Sequence, residues 1–270
     1  MTSDQELVAL LDHVWGSIDD VGRGLTEAEW KTPTEVPGWT VQDNLSHVTA
    51  LEWRLLGRPD PSHTISGDLA HVRNDFGRAN ELFVDSRRAR AGEDVLAEFE
   101  EVTAARLASL RDPAADFGAP SWTPMGDGTV RDLLPFRIFD AWVHEQDMRR
   151  AVDHPGDLDG DVAGTAMGRI VGTLPFVVGK KVAPPDGTTV VVDLRAPLAG
   201  RYAVAVEGRA RPLDDPPSDP TVTVRTDGET FARLACGRLD PKAVLAAGDV
   251  AFDGDAALGS RIVESLNFLF

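Results

Sequence analysis

An acidic residue and a histidine stand four positions apart in the stretch Thr129 to Val152, at Asp140 and His144. In an α-helix, side chains at this spacing lie on one face, with Cβ atoms about 5–6 Å apart. A carboxylate oxygen and an imidazole nitrogen can then converge on one metal ion, at roughly 2.0–2.2 Å from each. The pair therefore predicts part of a metal site, and a further ligand has to come from another segment.

Two more charged residues extend the same helical stripe, Arg137 before the pair and Asp147 after it. Arg137 is a candidate for neutralising an anionic substrate, and Asp147 for accepting the N–H of a ligand histidine or holding a water. The stripe has a simpler interpretation as well, a solvated helix face with an Asp–His pair and an Arg–Asp pair. Spacing alone leaves both interpretations open.

The best candidate for the third ligand is His47, in a segment whose pattern predicts a helix over residues 41–56. His47 lies at the edge of the apolar arc of that helix, where a histidine that only packs against the core is the alternative. Together with Asp140 and His144 it would supply two imidazoles and one carboxylate. Three protein ligands leave a coordination position open, as catalytic metal sites do, and zinc is the default ion.

The elements that must position these residues are mainly helices in the first half of the chain. Apolar residues recur there at helical spacing, and residues 113–128, rich in proline and glycine, predict a loop. Pro135 predicts a kink in the last helix of this half, or a later start near residue 135. Helices are predicted near residues 4–21, 41–56, 78–90, 93–111 and 129–152.

The second half changes character after a Gly-, Pro- and Asp-rich segment that follows Val152. One helix near residues 161–178 precedes β-branched runs at 188–194, 201–207 and 221–226, with short helices after them. The order is mixed rather than alternating, which predicts a small α+β domain with an antiparallel sheet. The chain is therefore predicted to be an α+β protein of two domains, at residues 1–153 and 160–270.

Composition narrows the classes of partner. Asp and Glu number 44 against 27 Lys and Arg, a formal net charge of −17, which argues against binding nucleic acid or an anionic membrane. The start carries no basic segment before an apolar core, and no run of about 18 apolar residues occurs in the chain. We therefore expect a cytoplasmic protein without nucleic-acid or membrane partners, a monomer or a homodimer.

Cysteine usage limits the metal and thiol chemistry. Cys236 is the only cysteine, so the chain has no internal disulfide and no cysteine-rich metal site. Any metal must use histidine and carboxylate ligands. Thiol chemistry would need a thiol from outside the chain.

The stretches VPGWTVQDNLSHV and FRIFDAWVHEQDMRRAV resemble the mycothiol-dependent maleylpyruvate isomerase family. The resemblance spans most of the chain and implies an N-terminal DinB-like four-helix bundle and a sterol-carrier-like C-terminal domain. In that family a histidine on the second helix, and an acidic residue and a histidine on the last one, bind zinc. They correspond to His47, Asp140 and His144. The best-known members have glutamate at the acidic position, so Asp140, with its shorter side chain, departs from the family pattern.

The resemblance also implies a functional arginine in the C-terminal domain. The essential arginine of the family lies in an Ala-x-Gly-Arg-like stretch, which residues Ala235 to Arg238 match. Arg238 would then pair with a substrate carboxylate. An arginine that fixes the end of a helix is the alternative for this residue.

The resemblance implies an enzyme that uses a divalent metal, by default zinc, and mycothiol as thiol cosubstrate on a small anionic electrophile. Thiolate addition to a cis double bond, rotation and elimination would give cis–trans isomerisation, whereas attack on another electrophile would be thiol S-transfer. The sequence does not separate these two. Two other classes remain open, a metal-binding bundle without catalysis and a carrier of an apolar ligand in the C-terminal domain.

Overall fold

The computed structural model of the chain describes residues 2–65 and 69–268. These residues form two compact units, Met1–Asp157 and Leu158–Phe270. The first unit is mainly helical and the second combines a sheet with helices. The chain is thus an α+β protein with the helical half first, as the sequence predicts.

Among the described residues of the first unit, six helices form most of the structure, and four of them have 15 or more residues. They are α1 Asp4–Arg23, α2 Glu27–Trp30, α3 Val41–Leu55, α4 Asp75–Asp85, α5 Gly92–Arg111 and α6 Val130–Ala151. Capping boxes at Ser3, Thr40 and Thr129 begin α1, α3 and α6, because each hydroxyl accepts from the backbone N–H three residues later. Helices α1 and α3 each pack against both α5 and α6.

The core of this unit lies between the four long helices. Leu11, Leu45 and Ile138 have no solvent exposure there. Each buried aliphatic side chain of this size stabilises the fold by about 1.5–3 kcal/mol. This packing fixes α3 against α6, the two helices that carry the predicted metal ligands.

Three local features of the first unit differ from the sequence prediction. The predicted loop contains a hairpin of β1 Pro120–Thr123 and β2 Gly126–Thr129, whose glycines and proline hide the alternation typical of strands. Helix α4 begins three residues earlier than predicted, because the Asn74 side chain accepts from Gly77 N. Helix α6 begins at Val130 and includes Pro135, so the late start near residue 135 is wrong: the Thr129 capping box begins the helix first.

A buried carboxyl joins α1 to α6. Glu145 is fully buried, and its Oε1 accepts hydrogen bonds from Ser17 Oγ at 2.6 Å and Arg149 Nε at 2.7 Å. Burial raises the pKa of the Glu145 carboxyl to about 7, although the bonds from Ser17 and Arg149 act in the opposite direction. The folded protein therefore holds this proton over a pH range in which the unfolded chain has lost it.

This raised pKa predicts a pH dependence of stability. The stabilisation that comes from protonated Glu145 is complete below pH 4.5, the ordinary pKa of the group, and is lost as the pH rises through about 7. We expect the free energy of unfolding of wild type minus that of Glu145→Gln to fall by roughly 2–3 kcal/mol between pH 5 and pH 8. Urea titrations at several pH values measure this difference. The control is Glu101→Gln, at an exposed position, for which the difference in the free energy of unfolding should not change with pH. If the difference for Glu145→Gln did not change with pH either, the prediction would be contradicted.

The second unit is built on a five-stranded sheet in the order β5-β4-β3-β6-β7. Its elements are α7 Gly160–Val171, α8 Leu174–Phe176, a π-helical segment Val177–Val182, β3 Thr189–Arg195, β4 Gly200–Glu207, β5 Arg209–Leu213, β6 Val222–Asp227, α9 Gly228–Ala235, α10 Pro241–Ala247, β7 Ala251–Gly254 and α11 Ala256–Glu264. Three of the four strand pairs are antiparallel, but β3 and β6 run parallel, with Val190 opposite Val222. The sheet is therefore mixed.

The central strand β3 explains why the strand order could not be predicted. Val190, Val191 and Val192 are all buried, so both faces of this strand are covered. A strand without alternation does not indicate which neighbour it pairs with. The parallel pair arises because the chain returns after β5 to the free edge of β3.

One helical stretch of this unit, Gly160–Val182, is long and apolar enough to cross a membrane, with a mean hydropathy of 1.4. Core helices of globular proteins pass the same test, and 44% of its most apolar window is buried inside the protein. The stretch is weak evidence for a membrane span.

Candidate metal centre between α3 and α6

Three potential ligand side chains meet between two helices of the first unit. His47 comes from α3, and Asp140 and His144 lie one turn apart on α6. One ligand atom of each lies within 4.8 Å of the others. Nε2 of His47 is 3.4 Å, and Nε2 of His144 is 3.9 Å, from Oδ1 of Asp140. The structure thus brings together the three residues that the sequence suggested as metal ligands.

The spacing and the donor types fit a divalent ion. Ligand atoms about 2.0–2.2 Å from a tetrahedral ion lie roughly 3.4 Å from one another. The separations of 3.4 Å and 3.9 Å are of this size. Two imidazoles and one carboxylate form a donor set that leaves room for an exogenous ligand. Nδ1 of His47 is also buried without a hydrogen-bond partner among the described residues.

The charge states favour metal binding over an ordinary ion pair. Burial lowers the pKa of His47, and the attraction of Asp140 only partly offsets it, so this imidazole is neutral near neutral pH. Burial would raise the pKa of the Asp140 carboxyl, but the adjacent His47 imidazole and the Arg137 guanidinium hold it well below its ordinary value. A neutral imidazole and an ionised carboxylate are the forms that bind a metal.

The second oxygen of Asp140 is held by a buried arginine. Arg137 Nη1 donates to Asp140 Oδ2 at 2.9 Å, and Arg137 Nε donates to Glu52 Oε1 at 2.7 Å. Glu52 is fully buried and forms an ion pair with Arg106 at 3.3 Å. Because Oδ2 is occupied, Asp140 presents Oδ1 to the histidines. Arg137, suggested by the sequence as a partner for an anionic substrate, lies between two carboxylates of the protein itself.

The imidazole of His144 is oriented from its other nitrogen. Nδ1 lies 2.7 Å from Asn44 Oδ1 and 3.4 Å from Asp147 Oδ2. An amide oxygen only accepts, so Nδ1 carries the proton and Nε2 remains available as a ligand atom. Asp147 is fully buried and accepts from Arg150 Nη2 at 2.7 Å. Helical spacing predicted Asp147 at this place but did not indicate Asn44, whose only signal is its position three residues before His47.

An indole lies against both candidate ligand histidines. Trp39, in the loop before α3, has its ring centroid 5.1 Å from that of His47 and 5.7 Å from that of His144. The two imidazole centroids are 4.6 Å apart. The structure therefore places Trp39 on the candidate metal centre.

Arg238 belongs to the second unit and lies three residues after the end of α9. Its Nη1 donates to the carbonyl of Cys236, the C-cap residue of α9, at 2.7 Å. This contact matches the alternative interpretation, an arginine that fixes a helix end. Cys236 itself is buried.

Two family models match the sequence of this chain. Residues 11–149 match the model of the mycothiol maleylpyruvate isomerase N-terminal domain, and residues 164–261 match that of the MDMPI C-terminal domain. No curated protein sequence matches the chain.

Two solved structures share the fold. The first is the crystal structure of the mycothiol-dependent maleylpyruvate isomerase, whose sequence is 17% identical to this chain. The match covers 93% of each chain and has a TM-score of 0.57. A histidine-to-alanine mutant of the mycothiol-dependent maleylpyruvate isomerase has the same identity and coverage, with a TM-score of 0.54. Because the N-terminal model alone spans more than half of the sequence, this chain belongs to the mycothiol maleylpyruvate isomerase family.

Proposed function

We propose that the protein is a metal-dependent enzyme that uses mycothiol to act on a small anionic electrophile, by cis–trans isomerisation or by thiol S-transfer. The observation that supports this is the convergence of His47, Asp140 and His144 within 4.8 Å. Zinc is the default ion for this donor set. A thiol from outside is needed because the only cysteine, Cys236, is buried. Membership of the family and the likeness in fold to a mycothiol-dependent isomerase favour mycothiol as that thiol.

The chain's own residues prepare the site for a thiol. A bound divalent ion would lower the pKa of a nearby thiol, so that thiolate forms near neutral pH. Arg137 keeps the carboxylate of Asp140 ionised and fixed through Oδ2. Asn44 keeps the proton of His144 on Nδ1. These contacts hold two ligands in the required state before any substrate arrives, which reduces the cost of reorganisation.

The reaction follows from the thiolate as nucleophile. Its sulfur lone pair adds to one carbon of the cis double bond, and the electron pair of that bond moves onto the adjoining carbonyl. The former double bond is then single and rotates. Expulsion of the thiolate restores the double bond as trans, so the thiol is regenerated and no proton is consumed overall. With an electrophile that carries a leaving group, the thiolate would form a carbon–sulfur bond while the bond to the leaving group breaks, and the leaving group departs with that electron pair. The product retains the sulfur, which is S-transfer.

Arg238 is proposed as the partner of the substrate carboxylate. Arg137 is less suited, because Glu52 and Asp140 already bind it, and we propose that it positions Asp140 instead. A guanidinium is suited to the anion task because it binds a carboxylate through two parallel hydrogen bonds.

The function is tested by incubating metal-loaded protein with mycothiol and either maleylpyruvate or a general thiol-reactive electrophile. We expect turnover that requires both metal and thiol. Unchanged thiol concentration with formation of the trans product indicates isomerisation, whereas stoichiometric thiol loss indicates S-transfer. Activity that persists after chelation, or that a metal-free His47→Ala variant retains, would contradict the proposal.

A further inference from the structure

Trp39 is built into the candidate metal centre by more than ring packing. Its backbone carbonyl accepts from Thr34 N at 2.9 Å and from Thr34 Oγ1 at 3.0 Å. Asn44 Nδ2 donates to the same Thr34 hydroxyl at 3.0 Å, while Asn44 Oδ1 binds His144. One amide side chain therefore connects the loop of Trp39 to a candidate ligand. The backbone of this residue is fixed relative to the metal centre.

The indole is held from its other side by a buried carboxylate. Trp39 Nε1 donates to Glu81 Oε2 at 3.1 Å. Glu81, on α4, is only 1% exposed, and the same oxygen lies 3.0 Å from His71 Nε2. Its other oxygen is 2.6 Å from Arg88 Nη1. Burying a carboxylate is costly without such partners, and here Trp39, His71 and Arg88 supply them.

The turn before Trp39 is closed by the same group of residues. Gly38 has a φ of +79°, and a Cβ at this position would lie 2.6 Å from His71 Nδ1. Arg88 Nη2 donates to the carbonyl of Gly38 at 3.4 Å. A side chain at residue 38 would be strained and would collide with the imidazole. The backbone, the turn and the indole N–H are thus each constrained, which a residue that only fills space does not need.

We propose that Trp39 lines the reaction site, where it contacts the bound thiol and limits the entry of water. Glu81 is then the residue that positions the Trp39 indole. The inference rests on the proposed function. The indole lies against both imidazoles, so a thiol bound beside them would contact its edge or face. Exclusion of water strengthens the electrostatic interactions in the site, and a displacement of about 1 Å can cost on the order of 100-fold in rate.

Trp39 and Glu81 should affect turnover more than metal affinity. We expect Trp39→Ala to lower kcat/KM for mycothiol at least about 10-fold, while zinc affinity from chelator competition changes less than about 3-fold. The control is Trp53→Phe, because the Trp53 indole N–H binds the carbonyl of Pro59. This control should leave both quantities unchanged.

A double-mutant cycle separates positioning from general stability. Trp39→Phe keeps a ring but removes the N–H that Glu81 accepts. If Glu81 acts through Trp39, Glu81→Ala lowers kcat/KM in the wild-type background and has little further effect in the Trp39→Phe background. Glu81→Gln retains an acceptor oxygen, should restore most of the activity, and serves as the second variant if Glu81→Ala does not fold. Equal losses in both backgrounds would overturn the positioning role.

Binding of mycothiol is also followed without turnover, through the visible absorption of the Co²⁺-loaded protein. We expect mycothiol to change the wild-type spectrum and Trp39→Ala to require at least about 10-fold more thiol for the same change. Equal thiol affinity in the two proteins would overturn this inference alone. A wild-type spectrum that mycothiol does not alter would overturn the proposed function, and the inference with it.

Discussion

His144→Ala is expected to give a folded protein that has lost its metal ion and its thiol-dependent activity. Removing one of three protein ligands leaves two, and changes to mere partners of ligands already cost about 10–100-fold in affinity. We therefore expect metal affinity to fall at least about 100-fold. Metal analysis of purified wild type and variant, each after dialysis against a weak chelator, measures the change.

His13→Ala is the matched control for this experiment. Its imidazole is 61% exposed and lies 3.8 Å from Asp157, on α1 rather than on α3 or α6. We expect this variant to keep one metal ion per chain. If His144→Ala retained the full metal content of the wild type, the metal would have to be bound elsewhere, and the assignment of the site would be wrong.

Glu52→Ala is expected to have the largest effect on stability. Glu52 is fully buried between Arg137 Nε at 2.7 Å and Arg106 Nε at 3.3 Å. Its removal leaves two buried guanidinium groups without this partner. Breaking a buried ion pair from one side costs about 3–5 kcal/mol, because the remaining charge is not compensated.

The free energy of unfolding, from urea titration monitored by far-ultraviolet circular dichroism, tests this prediction. Glu101→Ala is the control, because its pair with Arg58 is largely exposed on the Glu101 side, where 60% of the side chain is accessible. Surface pairs of this kind contribute about 0–1 kcal/mol. Similar losses for the two variants would show that the network of Glu52, Arg106 and Arg137 does not carry the stability assigned to it.

Glu52→Ala should also weaken metal binding. Arg137 would lose one of the two carboxylates that orient it, and the carboxylate of Asp140 would lose rigidity in turn. We expect affinity to fall about 10–100-fold, as for other partners of metal ligands. In this variant, unlike His144→Ala, all three ligands remain, so high metal concentration should restore occupancy.

Two of the candidate metal ligands could be predicted from the sequence because they share one helix. Asp140 and His144 lie on one helix at a spacing that depends only on helix geometry. Thr40 and Thr129 are each followed three residues later by an aspartate, a pattern typical of helix starts, and the structure has capping boxes at both positions. His47 was the best candidate for the third ligand from its residue type and its predicted helix, and the family resemblance strengthened its pairing with the later helix. Local periodicity alone does not indicate this contact between residues far apart in sequence.

The hydrogen bonds that hold the candidate ligands and Trp39 in place could not be predicted from the sequence. The bonds of Asn44 to His144, Glu52 to Arg137 and Glu81 to Trp39 each join residues more than 40 positions apart. Each depends on which faces of two helices or loops meet. A single sequence shows that Asn44 or Glu52 is polar within an apolar segment, but it does not identify the partner that makes its burial tolerable.

The sheet of the second unit illustrates the same limit. β-branched runs predicted strands at β3, β4 and β6, and the structure has all three. The parallel pairing of β3 with β6 depends on the path of the chain after β5, which local alternation does not encode.

X-ray absorption at the zinc edge, on protein loaded with one equivalent of zinc, tests the metal centre most directly. We predict nitrogen and oxygen ligands at about 2.0–2.2 Å, and outer scattering from two imidazole rings, in the wild-type protein. A first shell that contains sulfur, or that shows fewer than two imidazoles in the wild-type protein, would contradict the site formed by His47, Asp140 and His144.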